Sequence, residues 1–167
     1  NDLSSGIPSF LDNVKQVILP SKNIGWTTRS KSEHFNYYSN VCSNFSKWLN
    51  IDSWLIEPEF RNCGEINFKT KQGEDCLIYH AEKLFNIISE KYLKYDIDEK
   101  PYIIIKADSG TYGMGVISID DINQIKNLNR KQRNKMLSTK GNISPDKVIL
   151  QEGVFSFEEI KNSSSVA

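Results

Sequence analysis

The chain has 167 residues, a length that suits one domain of ordinary size or pieces of two. Lysine plus arginine and aspartate plus glutamate both number 21, so the net charge is zero and gives no general attraction to nucleic acid or to an anionic membrane. No apolar run approaches the ~18 residues of a transmembrane helix, and the 3 cysteines lack the spacing of a disulfide framework. We therefore expect a cytoplasmic protein without nucleic-acid or membrane partners.

The first 50 residues predict mainly helical structure. Residues 8–19 suggest a short helix that Pro20 ends, and residues 31–49 predict an amphipathic helix that starts at a capping box of Ser30 and Glu33. Apolar side chains recur along the second helix at steps of three and four residues: Phe35, Tyr38, Val41, Cys42, Phe45, Trp48 and Leu49. This stripe predicts a buried helix face, with Trp48 in the core.

Two strands and another helix are predicted next. Residues 53–56 suggest a short strand, and residues 61–69 a half-buried strand in which polar and apolar side chains alternate. A helix then runs to about residue 95, with one apolar face made of Leu77, Ala81, Leu84, Phe85, Ile88 and Tyr92. The polar residues 96–101 are the best candidate boundary, so we assign residues 1–97 and 98–167 to two regions.

The most informative stretch covers residues 102–119. A buried strand ends in Lys106, three glycines fall within six positions, and a second strand is predicted over 116–119. Glycines let backbone N–H groups come close to a phosphate. Their order matches neither the dinucleotide fingerprint nor the P-loop, which requires Lys-Ser or Lys-Thr after its last glycine. The remaining hypothesis is a hairpin that covers a triphosphate, with Lys106 on phosphate oxygens.

Residues 120–137 predict one helix with a basic outer face, and residues 148–151 predict a last buried strand. The basic face could also contact phosphates or RNA, although the neutral net charge weakens the RNA interpretation. Cys63, Cys76 and His80 do not have the spacing of a zinc site, so we assign them to packing.

Several blocks resemble the proteobacterial-type glutamate–cysteine ligase family, whose nucleotide-binding half is ATP-grasp-like. The clearest block is residues 106–116, and similar blocks lie at residues 25–34, 63–68, 128–136 and 151–154. The resemblance implies an α/β (α+β) fold: a partial ATP-grasp-like architecture with a glycine-rich β-hairpin lid, truncated at the C-terminus. We expect a piece of a longer protein for a second reason, since the chain starts at Asn1 without methionine and ends in a Ser-rich tail.

The activity that the resemblance implies is ATP-dependent ligation of the glutamate γ-carboxyl group to cysteine. An acyl phosphate would be the intermediate and γ-glutamylcysteine the product, which is the first step of glutathione biosynthesis. The implied cofactors are ATP and Mg²⁺, and the small-molecule partners are glutamate, cysteine and ATP. A carboxylate is a poor electrophile, so a leaving group must be created on it and the charge of that group neutralised.

The resemblance also implies which residues bind the ligands. The ATP-binding set is Lys106, Gly110, Thr111, Tyr112, Gly113, Met114, Gly115, Gln151, Glu152, Gly153 and Val154. In this set, residues 110–115 would form the lid and residues 151–154 would line the adenine pocket. Arg29, Lys31 and Arg61 are candidates for substrate carboxylates, since a guanidinium can meet a carboxylate with two hydrogen bonds. Glu57, Glu59 and Glu65 are candidates for the substrate ammonium group.

Magnesium ligands are expected beyond Ala167, because ATP-grasp enzymes carry them on strands that follow this segment. We therefore assign no metal ligand and no catalytic residue within the chain, and do not expect the chain to catalyse alone. One alternative is another carboxylate–amine ligase, such as a glutathione synthetase. The other is a non-catalytic nucleotide-binding or RNA-binding module, favoured by the basic helix and the missing metal ligands.

Overall fold

The fold contains one antiparallel sheet with mixed α/β architecture. The computed structural model describes residues 7–19, 21–22, 30–109, 115–137 and 147–156. The strands are β1 (Phe60–Glu65), β2 (Ile103–Ala107), β3 (Val116–Ile119) and β4 (Lys147–Glu152), and their order across the sheet is β1-β4-β2-β3. The predicted α/β class is confirmed, whereas the ATP-grasp architecture and the lid remain predictions. Because β1 pairs with β4, the sheet joins both predicted regions, and the division at residue 97 also stays a prediction.

Four helices accompany the sheet in the described part of the chain. They are α1 (Lys31–Leu49), α2 (Glu74–Lys94), α3 (Asn123–Lys126) and α4 (Arg130–Leu137), with short 3-10 turns at Ser9–Asn13 and Ser53–Leu55. Within the described ranges, no helix has both the length and the apolar character needed to cross a bilayer.

The core lies between α2 and one face of the sheet. The predicted apolar face of α2 is confirmed, since Leu77, Leu84 and Ile88 are at most 1% exposed and pack against the strands. Full burial of such a side chain contributes about 1.5–3 kcal/mol. The central strand β4 is buried on both faces at residues 148–150, which explains why this run reads as continuously apolar.

The single helix predicted over residues 120–137 is wrong, because the chain forms two helices there. Asn129 Oδ1 accepts a hydrogen bond from the Gln132 N–H, and Gln132 Oε1 accepts one from the Asn129 N–H, both at 2.9 Å. This reciprocal pair starts a new helix at Arg130 in the manner of a capping box. Asparagine side chains compete with the helical backbone in this way, so the earlier helix ends at Lys126.

The bounds predicted for α1 are confirmed, but the predicted burial of its apolar face is wrong. Ser30 Oγ accepts the Glu33 N–H, as the capping pattern requires. Only Cys42 and Ser46 are buried, whereas Trp48 is 79% exposed. The helix packs on β1 and on the Ser53–Leu55 turn with one side only, and no described residue covers the opposite side.

Asp52 fixes the segment between α1 and β1, where the predicted strand at residues 53–56 is wrong. Its carboxylate accepts the Trp54 N–H at 3.1 Å, which caps a 3-10 turn in place of a strand. The same carboxylate accepts hydrogen bonds from Lys91 at 2.7 Å, Lys94 at 2.6 Å and the Tyr95 hydroxyl at 3.0 Å. The two ammonium groups hold the pKa of Asp52 well below its usual range.

Gly153 lies directly after β4, under the ring of Tyr102. Its N–H donates to the Tyr102 carbonyl at 2.8 Å. The Tyr102 hydroxyl donates to the Val154 carbonyl at 3.0 Å, so the ring is held in place from both ends. A Cβ at residue 153 would lie 2.1 Å from the ring, which only glycine avoids.

We predict that Asp52→Asn lowers the free energy of unfolding at neutral pH by about 1–2 kcal/mol, because the charge-assisted hydrogen bonds weaken while the cap is kept. The folded-state pKa of Asp52 is below the unfolded value, so this stabilisation is present above about pH 4 and is lost as the pH falls further. Urea unfolding at neutral and acidic pH measures the difference. Asp98→Asn, at an exposed carboxylate after α2, is the control; an equal loss at both pH values for Asp52→Asn would contradict the prediction.

Gly153→Ala should lower the free energy of unfolding by about 2 kcal/mol, because the new methyl group must displace the Tyr102 ring. Gly64→Ala is a matched control, since a Cβ at residue 64 would meet no atom within 4 Å. Combining Gly153→Ala with Tyr102→Ala should give a smaller loss than the sum of the two single losses. Additive losses in denaturant unfolding would show that the ring is not the obstacle.

Candidate functional site

Lys106 and Gln151 form the centre of the candidate site, on the face of the sheet that points away from α2. Along β2, Ile103, Ile105 and Ala107 are buried toward the core, so the alternation of the strand places Lys106 on the other face. Gln151 pairs with Ile104 in the register and is therefore a diagonal neighbour of Lys106. Lys106 Nζ donates to Gln151 Oε1 at 2.7 Å. The structure thus brings together two side chains that the sequence assigned to ATP.

The ammonium group of Lys106 is only partly compensated in this position. Burial lowers the pKa of Lys106, because removal from water disfavours the charged form. Its hydrogen-bond partner is a neutral amide, and the ion pairs formed among the described residues do not include it. A half-buried cation with a neutral partner is a site where an anion gains more than it would in water.

Asp108 anchors the start of the glycine segment, residues 108–115, to the start of α1. Its buried carboxylate accepts hydrogen bonds from the Ser30 hydroxyl at 2.8 Å, the Ser32 N–H at 2.7 Å and the Ser32 hydroxyl at 2.8 Å. Its own N–H donates to the Lys147 carbonyl at 2.9 Å. The sequence interpretation missed this role. The available signal was an acid directly after a buried strand together with two serines at a helix start.

Lys31 strengthens the same junction. Its N–H donates to the Asp108 carbonyl at 3.0 Å, and its Nζ donates to the Ala107 carbonyl at 2.7 Å. Lys31 therefore lies in space at the end of β2, beside the start of the glycine segment, although 76 positions of sequence separate it from Ala107. Its predicted contact with a substrate carboxylate stays a prediction.

Gly115 closes the hairpin between β2 and β3. Its carbonyl accepts the Ala107 N–H at 2.9 Å, and its φ of +63° is a conformation that glycine adopts without strain. The antiparallel pairing of β2 with β3 confirms the predicted hairpin. Five of the six predicted lid residues lie outside the described residues: Gly110, Thr111, Tyr112, Gly113 and Met114. Arg29 also lies outside them.

The segment predicted to line an adenine pocket divides between two environments. Gln151 faces Lys106, whereas the Glu152 carboxylate is buried and accepts hydrogen bonds from Trp54 Nε1 and from the Glu59 N–H, both at 2.9 Å. Burial raises the pKa of Glu152. The Glu152 and Gly153 N–H groups donate to the carbonyls of Glu59 and Tyr102, so both are engaged within the protein.

Val154 and Glu152 instead line an apolar cavity of about 510 Å³ at the end of the sheet. Its wall includes the aromatic side chains of Trp54, Tyr92 and Phe155. The cavity is next to the predicted adenine segment and is suited to a flat apolar group. The adenine-binding role of residues 151–154 remains a prediction.

A polar cleft of about 360 Å³ lies between α1 and β1 and contains charges of both signs. Its wall includes Arg61, which the sequence assigned to a substrate carboxylate, and Glu57 and Glu59, which it assigned to an ammonium group. Arg61 Nη1 lies 4.0 Å from Glu59 Oε2, and the Ser39 hydroxyl donates to Glu57. The cleft residues Asn36 and Ser39 were not predicted, because only the packing of α1 on β1 reveals which side of the helix they share.

One edge of the polar cleft, at Asn62, is on the same face of the sheet as Lys106, whereas Arg61 pairs with Leu150 and so leaves the edge strand β1 toward the opposite face. Asn62, at the edge of the cleft, pairs with Ile149 of β4, and Ile149 pairs with Lys106 of β2. Two strand spacings therefore separate Asn62 from Lys106, a distance of about 10 Å between backbones. A small substrate in the cleft would thus be close to an anion held at Lys106.

The residues described by the structure supply no obvious metal centre. Among them, no three side chains of His, Cys, Asp or Glu are grouped so that they could hold a metal ion. Cys63 is buried in the core, whereas Cys76 is exposed.

Comparison with known proteins identifies the family. The crystal structure of a protein described as a candidate gamma-glutamylcysteine synthetase, from Methylobacillus flagellatus KT, matches this chain with a TM-score of 0.85 and 42% sequence identity. The match covers 97% of this chain but 38% of that chain, so the chain spans well under half the length of its neighbour. Comparison with curated proteins gives no significant match. Residues 1–167 match the family described as GshA, glutamate-cysteine ligase. The chain therefore belongs to the GshA glutamate–cysteine ligase family.

Proposed function

We propose that the protein carrying this chain uses ATP to ligate glutamate, through its γ-carboxyl group, to the amine of cysteine. The family supports this class of ligase, and the name of the Methylobacillus neighbour agrees with it. The structural observation that supports an ATP-binding site is the half-buried pair of Lys106 and Gln151 beside the glycine segment. Its position suits the phosphate chain of ATP, since a lysine binds phosphate as a point charge.

The proposed reaction has two steps. A γ-carboxylate oxygen of glutamate attacks the terminal phosphorus of ATP, and ADP leaves with the electrons of the broken P–O bond. The cysteine nitrogen then attacks the acyl carbon, phosphate departs, and the nitrogen loses a proton to complete the amide. Both steps concentrate negative charge on phosphate oxygens, which Lys106 would stabilise at the moment of transfer.

Magnesium would supply further charge neutralisation on the phosphates when bound. The described residues contain no cluster of His, Cys, Asp or Glu that could hold a metal ion. We therefore assign no magnesium ligand in this chain, and neither step above depends on the ion.

The polar cleft is the proposed position for the amino-acid end of a substrate. An α-amino acid carries a carboxylate and an ammonium group, and the cleft offers the Arg61 guanidinium beside the carboxylates of Glu57 and Glu59. A substrate held there by both charges can extend its side chain past Asn62, at the edge of the sheet, toward Lys106. This arrangement would bring a γ-carboxylate toward the phosphate that it attacks.

A glutathione synthetase-like reaction is the alternative within ligases, and a product assay separates the two. Release of ADP by the full-length protein should require glutamate together with cysteine. ADP release with γ-glutamylcysteine and glycine in their place would contradict the proposal.

Lys106→Met is predicted to raise the KM for ATP by about tenfold to a hundredfold, because one charge-assisted contact with phosphate is lost. The fold should persist, since methionine is an unbranched side chain nearly as long as lysine and the position is half-buried. Initial rates of the full-length protein over a range of ATP concentrations test this, and Lys69→Met, at an exposed lysine before α2, is the control. An unchanged KM and kcat in a folded Lys106→Met protein would remove Lys106 from the site.

Arg61→Ala is predicted to raise the KM for an amino-acid substrate by about tenfold or more, with little change in the KM for ATP. Arg61→Lys should recover only part of the loss, because an ammonium group cannot form two parallel hydrogen bonds with a carboxylate. Arg130→Ala, on the exposed side of α4, controls for a general effect of removing an arginine. An increase confined to the KM for ATP would place Arg61 at the nucleotide instead.

A further inference from the structure

Two cysteines that the proposed function does not use face each other across the junction of β1 and α2. Cys63 is on β1, and Cys76 is in the first turn of α2. Their Sγ atoms are 3.6 Å apart, and both are free thiols. They are 13 positions apart in the sequence, so the fold, and not chain proximity, brings the two thiols together.

The turn between β1 and α2 fixes this approach. Asn67 and Gln72 form a β-bridge within it, and the Asn67 side chain accepts the N–H groups of Lys69 and Thr70. Gly73, the last residue before α2, has a φ of +81°, and a Cβ there would lie 2.8 Å from the Glu65 carbonyl oxygen. Since only glycine fits this close crossing, the path from Cys63 to Cys76 is tightly constrained.

The two thiols differ sharply in their access to solvent. Cys63 is 2% exposed, whereas Cys76 is on the surface. Burial, and next the contact with Cys76, raises the pKa of Cys63 to about 12. Because the thiolate is the nucleophile in thiol–disulfide exchange, Cys76 is the thiol that an outside reagent meets first, and Cys63 is placed to react second.

We propose that Cys63 and Cys76 form a reversible intramolecular disulfide by exchange with a small-molecule disulfide. The Cys76 thiolate attacks one sulfur of the reagent, giving a mixed disulfide and one released thiolate. Cys63 Sγ then attacks Cys76 Sγ, its proton passes to the departing sulfur, and a second small thiol leaves. Two protein thiols are thereby oxidised and one reagent disulfide is reduced to two thiols, so atoms and electrons balance. Rotation about the Cα–Cβ bonds of the two cysteines (χ1) would bring the sulfur atoms to the ~2.05 Å of a disulfide bond.

The link would join β1 to the start of α2. Residues 61 and 62, which precede Cys63 on β1, line the polar cleft, so the oxidised form fixes the strand that borders this cleft. The inference itself does not depend on the ligase activity, because it concerns a modification of the chain.

The test is incubation of the folded full chain with oxidised glutathione, followed by intact-mass measurement and peptide mapping. The expected product has lost the mass of two hydrogen atoms, carries a link between the peptides of Cys63 and Cys76, and returns to the starting mass with dithiothreitol. Cys63→Ser should stop at a glutathione adduct on Cys76, and Cys76→Ser should form no intramolecular link. Cys42→Ser, which removes the buried cysteine of α1, should behave like the unmodified chain.

Two results would overturn the proposal. One is a glutathione adduct on Cys76 of the folded, unmodified chain that never proceeds to the internal link. The other is a link that involves Cys42, which would mean that the chain reacts from an unfolded state. Alkylation of the folded, reduced chain gives an independent measurement: Cys76 should react at least about tenfold faster than Cys63, and equal rates would contradict the assigned order of attack.

Discussion

The pairing of β4 with both β1 and β2 is the constraint on which the rest of the structure depends. β4 is the last of the described strands in sequence order, yet it lies between two earlier strands and is buried on both faces. Without it, β1 would have no partner among the described strands, and the polar cleft would not lie beside Lys106. The backbone hydrogen bonds of β4 set the register, and this register places Gln151 diagonal to Lys106 and Asn62 level with Lys106.

The two faces of this sheet have different physical characters. Toward α2 the side chains are apolar and closely packed, which stabilises the fold. On the other face, a half-buried ammonium group is compensated by one amide, and Asp108 binds the start of α1 to the end of β2. The first face can be understood from burial alone. The second carries a charge that is only partly compensated and contributes little to stability, and the proposed anionic ligand would complete its compensation.

Patterns that depend on local sequence predicted much of this fold. The apolar period of α2 and the β-branched runs of β2 and β3 were sufficient to predict these three elements. Each of them buries the face on which its own sequence places apolar side chains. The same reasoning failed for α1, whose apolar stripe is largely exposed, since periodicity indicates that a face can be buried but not what covers it. It failed again at Asn129, where a side chain competes with the backbone and starts a new helix.

The candidate site was predicted less completely, because its geometry arises from contacts between distant parts of the chain. Lys106 was found from its place before three glycines, and Gln151 from the family resemblance. Asp108 was missed because its partners, Ser30 and Ser32, are more than 70 residues away. Nor could sequence separate Gln151 from Glu152, whose side chains leave β4 on opposite faces of the sheet.

The insertion of β4 also has a consequence for the order in which the protein folds. The β2–β3 hairpin and α2 are local and need only short loops to form. Phe60 and Gln151, by contrast, are paired across roughly 90 residues of intervening chain. Such distant pairing is slow, since the entropy of closing the loop is lost before the contacts are gained. The edge of β2 that later receives β4 is therefore exposed until a late step of folding, and during synthesis the sheet cannot be completed before the ribosome has released residue 152.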